Sequence, residues 1–170
     1  MDNNPTTRKW TDMRGLAVVA LDTGIKVGTV DDFYFETESN AVRGLRVNTG
    51  LLGYKALPSN GISAIGRDAI TTANQEMVIE ESHDGRIPAL PLGHNLFSYK
   101  IMSESGDHIG TVGNIILNTH PPIALRVAGF ELAAGPGERI THHRTFSAQE
   151  VIHYGQDVIV ILDQVARQLS

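Results

Sequence analysis

Gly24-Ile25-Lys26-Val27-Gly28-Thr29-Val30 returns 82 positions later as Gly106-Asp107-His108-Ile109-Gly110-Thr111-Val112. The echo continues outward. Leu45-Arg46-Val47 reappears as Leu125-Arg126-Val127, and Gly66-Arg67-Asp68-Ala69-Ile70 as Gly155-Gln156-Asp157-Val158-Ile159. The spacing drifts only where loops vary in length. A repeat this long is a whole small domain rather than a solenoid unit. The chain of 170 residues therefore reads as two copies of one fold. Each copy, at roughly 75–85 residues, is near the size where a single core is only marginally stable, so the copies are expected to pack together or to oligomerise.

Within each copy short apolar runs alternate with turn residues. In the first, strands are expected over Gly15–Leu21, Val27–Glu36, Ala41–Asn48, Leu51–Leu57, Ala69–Thr72 and Met77–Glu81, separated by Asp22-Thr23-Gly24, Glu38-Ser39-Asn40 and Pro58-Ser59-Asn60-Gly61. Pro58–Gly61 reads as a turn or one turn of 3₁₀ helix, and Ile62 and Ile65 as its anchors to the core. In the second, the strands are Leu96–Ser103, Ile109–Asn118, Ile123–Leu132, Glu138–Thr145 and Val158–Leu162. Leu162, Val165, Ala166 and Leu169 fall at i, i+3, i+4 and i+7, a short amphipathic helix without counterpart in the first copy. It is placed to plug a barrel end or to pack between barrels. Many short strands with glycine at the turns indicate an all-β chain of two small barrels. The organisation is an N-terminal arm (1–13), a first barrel (14–82), a linker (83–95) and a second barrel with the C-terminal helix (96–170). Ile87, Leu90 and Leu92 suggest that the linker packs against a barrel.

The pattern resembles the PRC-barrel family, found in the cytoplasmic domain of the photosynthetic reaction-centre H subunit and in the C-terminal domain of a ribosome maturation factor. The family's order of glycines and apolar steps is matched at Gly24, Gly28, Val30, Leu57, Pro58, Ile62, Ile65, Gly66, Asp68 and Ile70. It is matched again at Gly106, Gly110, Val112, Val151, Gly155, Asp157 and Ile159, with Phe146-Ser147 replacing Leu57-Pro58. The resemblance implies two tandem barrels and a non-enzymatic adaptor that docks onto other proteins. Its relatives suggest two alternatives: a soluble accessory subunit of a membrane photosynthetic or electron-transfer complex, and a ribosome-assembly or RNA-processing factor. The chain lacks the H subunit's membrane helix and the maturation factor's N-terminal domain, which counts against both.

Composition narrows the remaining options. With 41% hydrophobic and 19% charged residues the chain is globular, and no apolar run approaches the roughly 18–20 residues of a membrane span. The polar N-terminus does not read as a secretory signal. A net charge of −5 without a basic run argues against direct nucleic-acid binding. The lack of cysteine removes disulfides, thiolate metal sites and cysteine nucleophiles. The expected location is the cytoplasm, peripheral at the membrane if the accessory reading holds. The expected partners are proteins, with a membrane complex or further copies of the chain as variants. No cofactor or metal is expected.

Catalytic constellations are missing from the sequence. Gly61-Ile62-Ser63-Ala64-Ile65-Gly66 is one residue too long for a nucleophile elbow. Neighbouring Asp31 and Asp32 diverge on a strand. All seven histidines follow residue 82, and His142 and His143 point to opposite faces. The favoured reading is that they are surface or hydrogen-bonded histidines. The sharper alternative is a proton relay of His143, His153 and Glu150, since imidazole titrates near neutrality. For protein binding, the apolar tip Leu51, Leu52 and Tyr54 is a candidate docking surface, with burial under the barrel rim as the competing reading. Trp10 either covers the first barrel or anchors a partner.

Overall fold

The computed structural model describes residues 6–135 and 144–169. The chain is all-β, with two barrel-like sheets of the same strand order. The first contains β2 (Ala17–Ala20), β3 (Lys26–Phe35), β4 (Val42–Asn48), β5 (Tyr54–Pro58), β6 (Ile62–Ile65) and β7 (Ala69–Thr72), arranged β5-β4-β3-β2-β7-β6. The second contains β8 (Lys100–Ser103), β9 (His108–Asn118), β10 (Arg126–Leu132), β11 (Thr145–Ser147), β12 (Val151–Tyr154) and β13 (Val158–Ile161), arranged β11-β10-β9-β8-β13-β12. One parallel pair closes each sheet, β2 with β7 and β8 with β13. Strict alternation decides which side chains reach the core, because successive side chains on a strand face opposite ways. Val18, Ala20, Ile70 and Thr72 are buried in the first sheet and Ile101, Ser103, Ile159 and Ile161 in the second. Gly24 (φ 69°) and Gly106 (φ 92°) supply the left-handed residue of the β2–β3 and β8–β9 turns, which explains why the repeated phrase begins with glycine.

Several expected elements take another form. Met77–Glu81 is not a strand. A 3₁₀ turn at Gln75–Met77 leads to a single bridge between Ile79 and Ala56, and then to a second turn at Glu81–His83. The strand expected from Leu96 begins only at Lys100, because 93–98 form a 3₁₀ helix that buries Leu96. The strand expected from Ile123 begins at Arg126, after a 3₁₀ turn at Pro122–Ala124. Glu138–Thr145 lies largely outside the described residues. The middle phrase of the repeat is also displaced. Leu45 pairs with Phe33 on β3, and the residue paired with the equivalent Ile115 on β9 is Phe130, not Leu125. The Leu-Arg-Val echo is thus a coincidence of composition, while the glycine turns and the closing strands are true equivalents.

The two sheets exchange their leading segments. β1 (Thr7–Lys9) leaves the first sheet and pairs with β9 of the second, Lys9 opposite Ile116. The linker does the converse. Leu92 bridges to Tyr34 on β3, and the Phe35 N–H donates to the Pro91 carbonyl at 2.9 Å. Between them Ala41 bridges to Arg126, with the Val42 N–H on the Leu125 carbonyl and the Val127 N–H on the Asn40 carbonyl. These contacts are equivalent under the repeat, so the barrels are related by a pseudo-twofold axis through Ala41 and Arg126.

A single apolar core crosses this axis, running from Val18, Phe33 and Ile70 to Ile101, Ile115 and Phe130. α1 (Trp10–Met13) buries Trp10 and Met13 in it, and Tyr154 packs against both Phe35 and Phe130. α2 (Asp163–Leu169) buries Val165, Ala166 and Leu169 and closes one end of the second barrel, as the periodicity requires, although Leu162 remains partly exposed. The linker packs as expected, with Ile87, Leu90 and Leu92 around Tyr34 and Ala56.

Candidate functional site

The tip after β4 is a braced loop. Gly50 and Gly53 both have φ of 79°, and a 3₁₀ turn spans Gly50–Leu52. The Thr49 N–H and hydroxyl both donate to the Gly53 carbonyl, at 2.9 and 2.5 Å, and the Gly50 N–H donates to Asn48 Oδ1 at 2.9 Å. With the backbone so held, Leu51 and Leu52 point outward. Their relative exposures are 106% and 70%, and Tyr54 stands at 55%. Burial under the barrel rim is therefore not what these leucines do. The Tyr54 ring carries the Arg46 guanidinium at 4.6 Å from its centroid, and Arg46 donates from Nε to Asp31 Oδ2 at 2.7 Å.

Tyr54 and Arg46 form one wall of a cleft of about 860 Å³ whose other sides include Trp10, Asp32, His94 and Phe97. Two of the residues singled out in the sequence, Trp10 and Tyr54, thus meet in one concavity. Trp10 is not a projecting anchor, however. It is 2% exposed, and its indole meets Phe33 edge-on at a centroid distance of 4.8 Å. It covers the first barrel because β1, by pairing with β9, draws the arm across the seam between barrels.

Asp32 is a buried carboxylate at this seam. It is 2% exposed, and Oδ1 accepts the Phe33 N–H at 2.8 Å and the His94 N–H at 3.1 Å. Its second oxygen meets His94 Nδ1. The pseudo-equivalent residue is Asn114, which accepts the Ile115 N–H on Oδ1 and donates from Nδ2 to Thr11 Oγ1, both at 2.9 Å. The same clamp thus occurs twice, charged on one side of the axis and neutral on the other. Sequence reasoning missed Asp32 and His94. The only hint was a carboxylate next to aromatic Phe33, and its partner lies 62 residues away.

Of the three relay candidates, Glu150 and His153 lie among the described residues. Glu150 forms a capping box, its carboxylate accepting the Ser147 N–H at 2.8 Å, while His153 is exposed on β12. His143 lies outside the described residues. Among the described residues no group of three His, Cys, Asp or Glu side chains is placed to hold a metal ion. Tyr34 is buried and Tyr154 half-buried. Burial raises both pKa values above the usual tyrosine range, aided at Tyr34 by its hydrogen bond to Glu81 at 3.0 Å.

The chain matches no curated protein. The family model of the PRC-barrel domain matches residues 5–78, which span the arm, the first sheet and the turn after it. The second sheet lies beyond that match, and its kinship with the first rests on the shared strand order and the repeated turns. Over residues 5–78 the chain is thus similar to the PRC-barrel domain.

Proposed function

We propose that this protein is a non-enzymatic adaptor that binds other proteins through the surface of its first barrel, with the Leu51–Tyr54 tip as the principal contact. The supporting observation is the braced tip, because two leucines held in solvent by a hydrogen-bonded turn gain nothing for the fold. Apolar side chains displayed in this way mark interaction sites. The PRC-barrel domain is a general protein-interaction module, which suits the same reading. No helix among the described residues is long and apolar enough to cross a membrane.

Affinity co-purification from the native cell tests this, with soluble and membrane fractions kept apart and wild type compared with L51D/L52D. A stoichiometric protein partner lost from the variant supports the adaptor. A membrane complex as that partner selects the accessory-subunit reading, and ribosomal proteins select the assembly-factor reading. Recovery of wild type and variant with the same partners, or with none, refutes the tip as the contact.

A further inference from the structure

The seam cleft carries ionisable groups that the second copy does without. Asp32, opposite Arg46 on the ladder, corresponds to Asn114, opposite Glu131. Asp31 beside it corresponds to Gly113. His94, which meets Asp32, corresponds to Thr11, which meets Asn114. Three residues further on in each segment, Arg14 corresponds to Phe97. Asn114 and Thr11 make the clamp without a carboxylate or an imidazole, so the fold itself does not call for the ionisable version. Burying a carboxylate costs more than burying an amide, and the first copy carries that cost at the wall of a cleft.

The groups around the cleft are held in place. Arg14 caps α1, its N–H on the Trp10 carbonyl at 2.9 Å, and Trp10 and Met13 anchor that helix in the core. His94 is gripped twice by one carboxylate, through its N–H and through Nδ1, although its side chain is 58% exposed. The opposite edge of the ring, with Nε2, is therefore the open one. Arg46 is held over Tyr54 by Asp31. Both carboxylates of the cleft thus have partners already. Among the described residues the Arg14 guanidinium has none. What the cleft lacks is an acceptor, so an anion and not a cation completes it.

We propose that this cleft binds a small organic carboxylate, with Arg14 as its principal contact. The inference goes beyond the adaptor reading and does not rest on it. The planar guanidinium offers a carboxylate two parallel N–H donors. One unpaired cation matches one negative charge, whereas a phosphate dianion would bring a second charge toward Asp31 and Asp32. A volume of about 860 Å³ is that of a small-molecule site and far exceeds an inorganic ion. Half-buried Phe97 and the exposed Tyr54 ring offer apolar surface to the rest of the molecule. His94, pinned by Asp32, adds a second polar contact of fixed orientation. The place fits as well, because ligand sites form preferentially where two packed units leave a concavity between them.

Sodium benzoate is the probe, and benzamide, of nearly the same shape but without the charge, is its control. Each is titrated into isotope-labelled full-length protein and followed by amide NMR. Benzoate is expected to give saturable shifts confined to residues 10–15, 30–32, 46, 54 and 94–97, with a dissociation constant of about 1 mM. Benzamide and inorganic phosphate bind about tenfold more weakly or not at all, and R14Q weakens benzoate binding by about the same factor. R67Q, which removes an exposed guanidinium elsewhere, binds as wild type does. The proposal is overturned if benzoate gives no saturable shift, if benzamide or phosphate matches it, or if R14Q binds as wild type does. Equal weakening by R67Q overturns it too, since the effect would then be one of diffuse charge. The benzamide comparison needs no variant, so it decides the matter even if R14Q perturbs the fold.

Discussion

Replacing Gly93 with alanine adds one methyl group where the linker packs against Phe33 of the first barrel. The new Cβ would overlap three carbons of the Phe33 ring. Gly93 does not have the positive φ that favours glycine, so the perturbation is steric alone. Phe33 cannot move aside easily, because it is fully buried, with the Trp10 ring edge-on at 4.8 Å and Phe35 at 6.4 Å. Overpacking a native core costs about 1–3 kcal/mol, and a trapped aromatic ring places this case at the upper end. For a chain of this size, about 3 kcal/mol lowers Tm by roughly 6–12 °C. Thermal and urea unfolding followed by circular dichroism would measure the loss. Phe33→Leu should recover more than half of it in the G93A background, although alone it destabilises, so the double-mutant cycle shows a favourable coupling between the two changes. Loss of less than about 0.5 kcal/mol for G93A, the range of surface substitutions, would refute the packing argument, as would strict additivity of the two substitutions.

Other consequences are simpler to state. Asp32→Ala leaves the buried Phe33 N–H without an acceptor and costs about 1–3 kcal/mol in urea unfolding. Asp32→Asn keeps that acceptor, as Asn114 does, and should cost clearly less; equal losses would show that charge, not the hydrogen bond, holds this seam. Tyr154→Phe removes the 2.7 Å hydrogen bond to Asn40 across the axis and should lower stability by about 1 kcal/mol in the same assay. Hydrogen bonds from Arg43 and then Ser39 lower the Glu36 pKa from 4.5 to about 2. Its contribution to stability is present above the ordinary carboxylate pKa and fades as pH falls toward 2. An NMR titration should find that low midpoint, and Arg43→Gln should return it toward the usual value.

Local chemistry made the strands, turns and C-terminal helix legible. A left-handed glycine, a β-branched run or an apolar stripe at helical spacing acts over a few residues, so Gly24, Gly106 and the Val165–Leu169 face could be read directly. The apolar tip was visible for the same reason, but its exposure was not, because that depends on the Thr49–Gly53 brace. Element ends failed where tertiary contact overrode propensity. Val78 turns into the core and Leu96 enters a 3₁₀ helix, so neither continues the strand its neighbours suggest. Two copies of one β-fold and the chemistry of their turns are written locally in the chain. The crossing of arm and linker to opposite sheets, the place of Trp10 at the seam and the pairing of Asp32 with His94 are not. Those outcomes join segments tens of residues apart, and their stabilisation comes from surfaces that exist only once both sheets have formed.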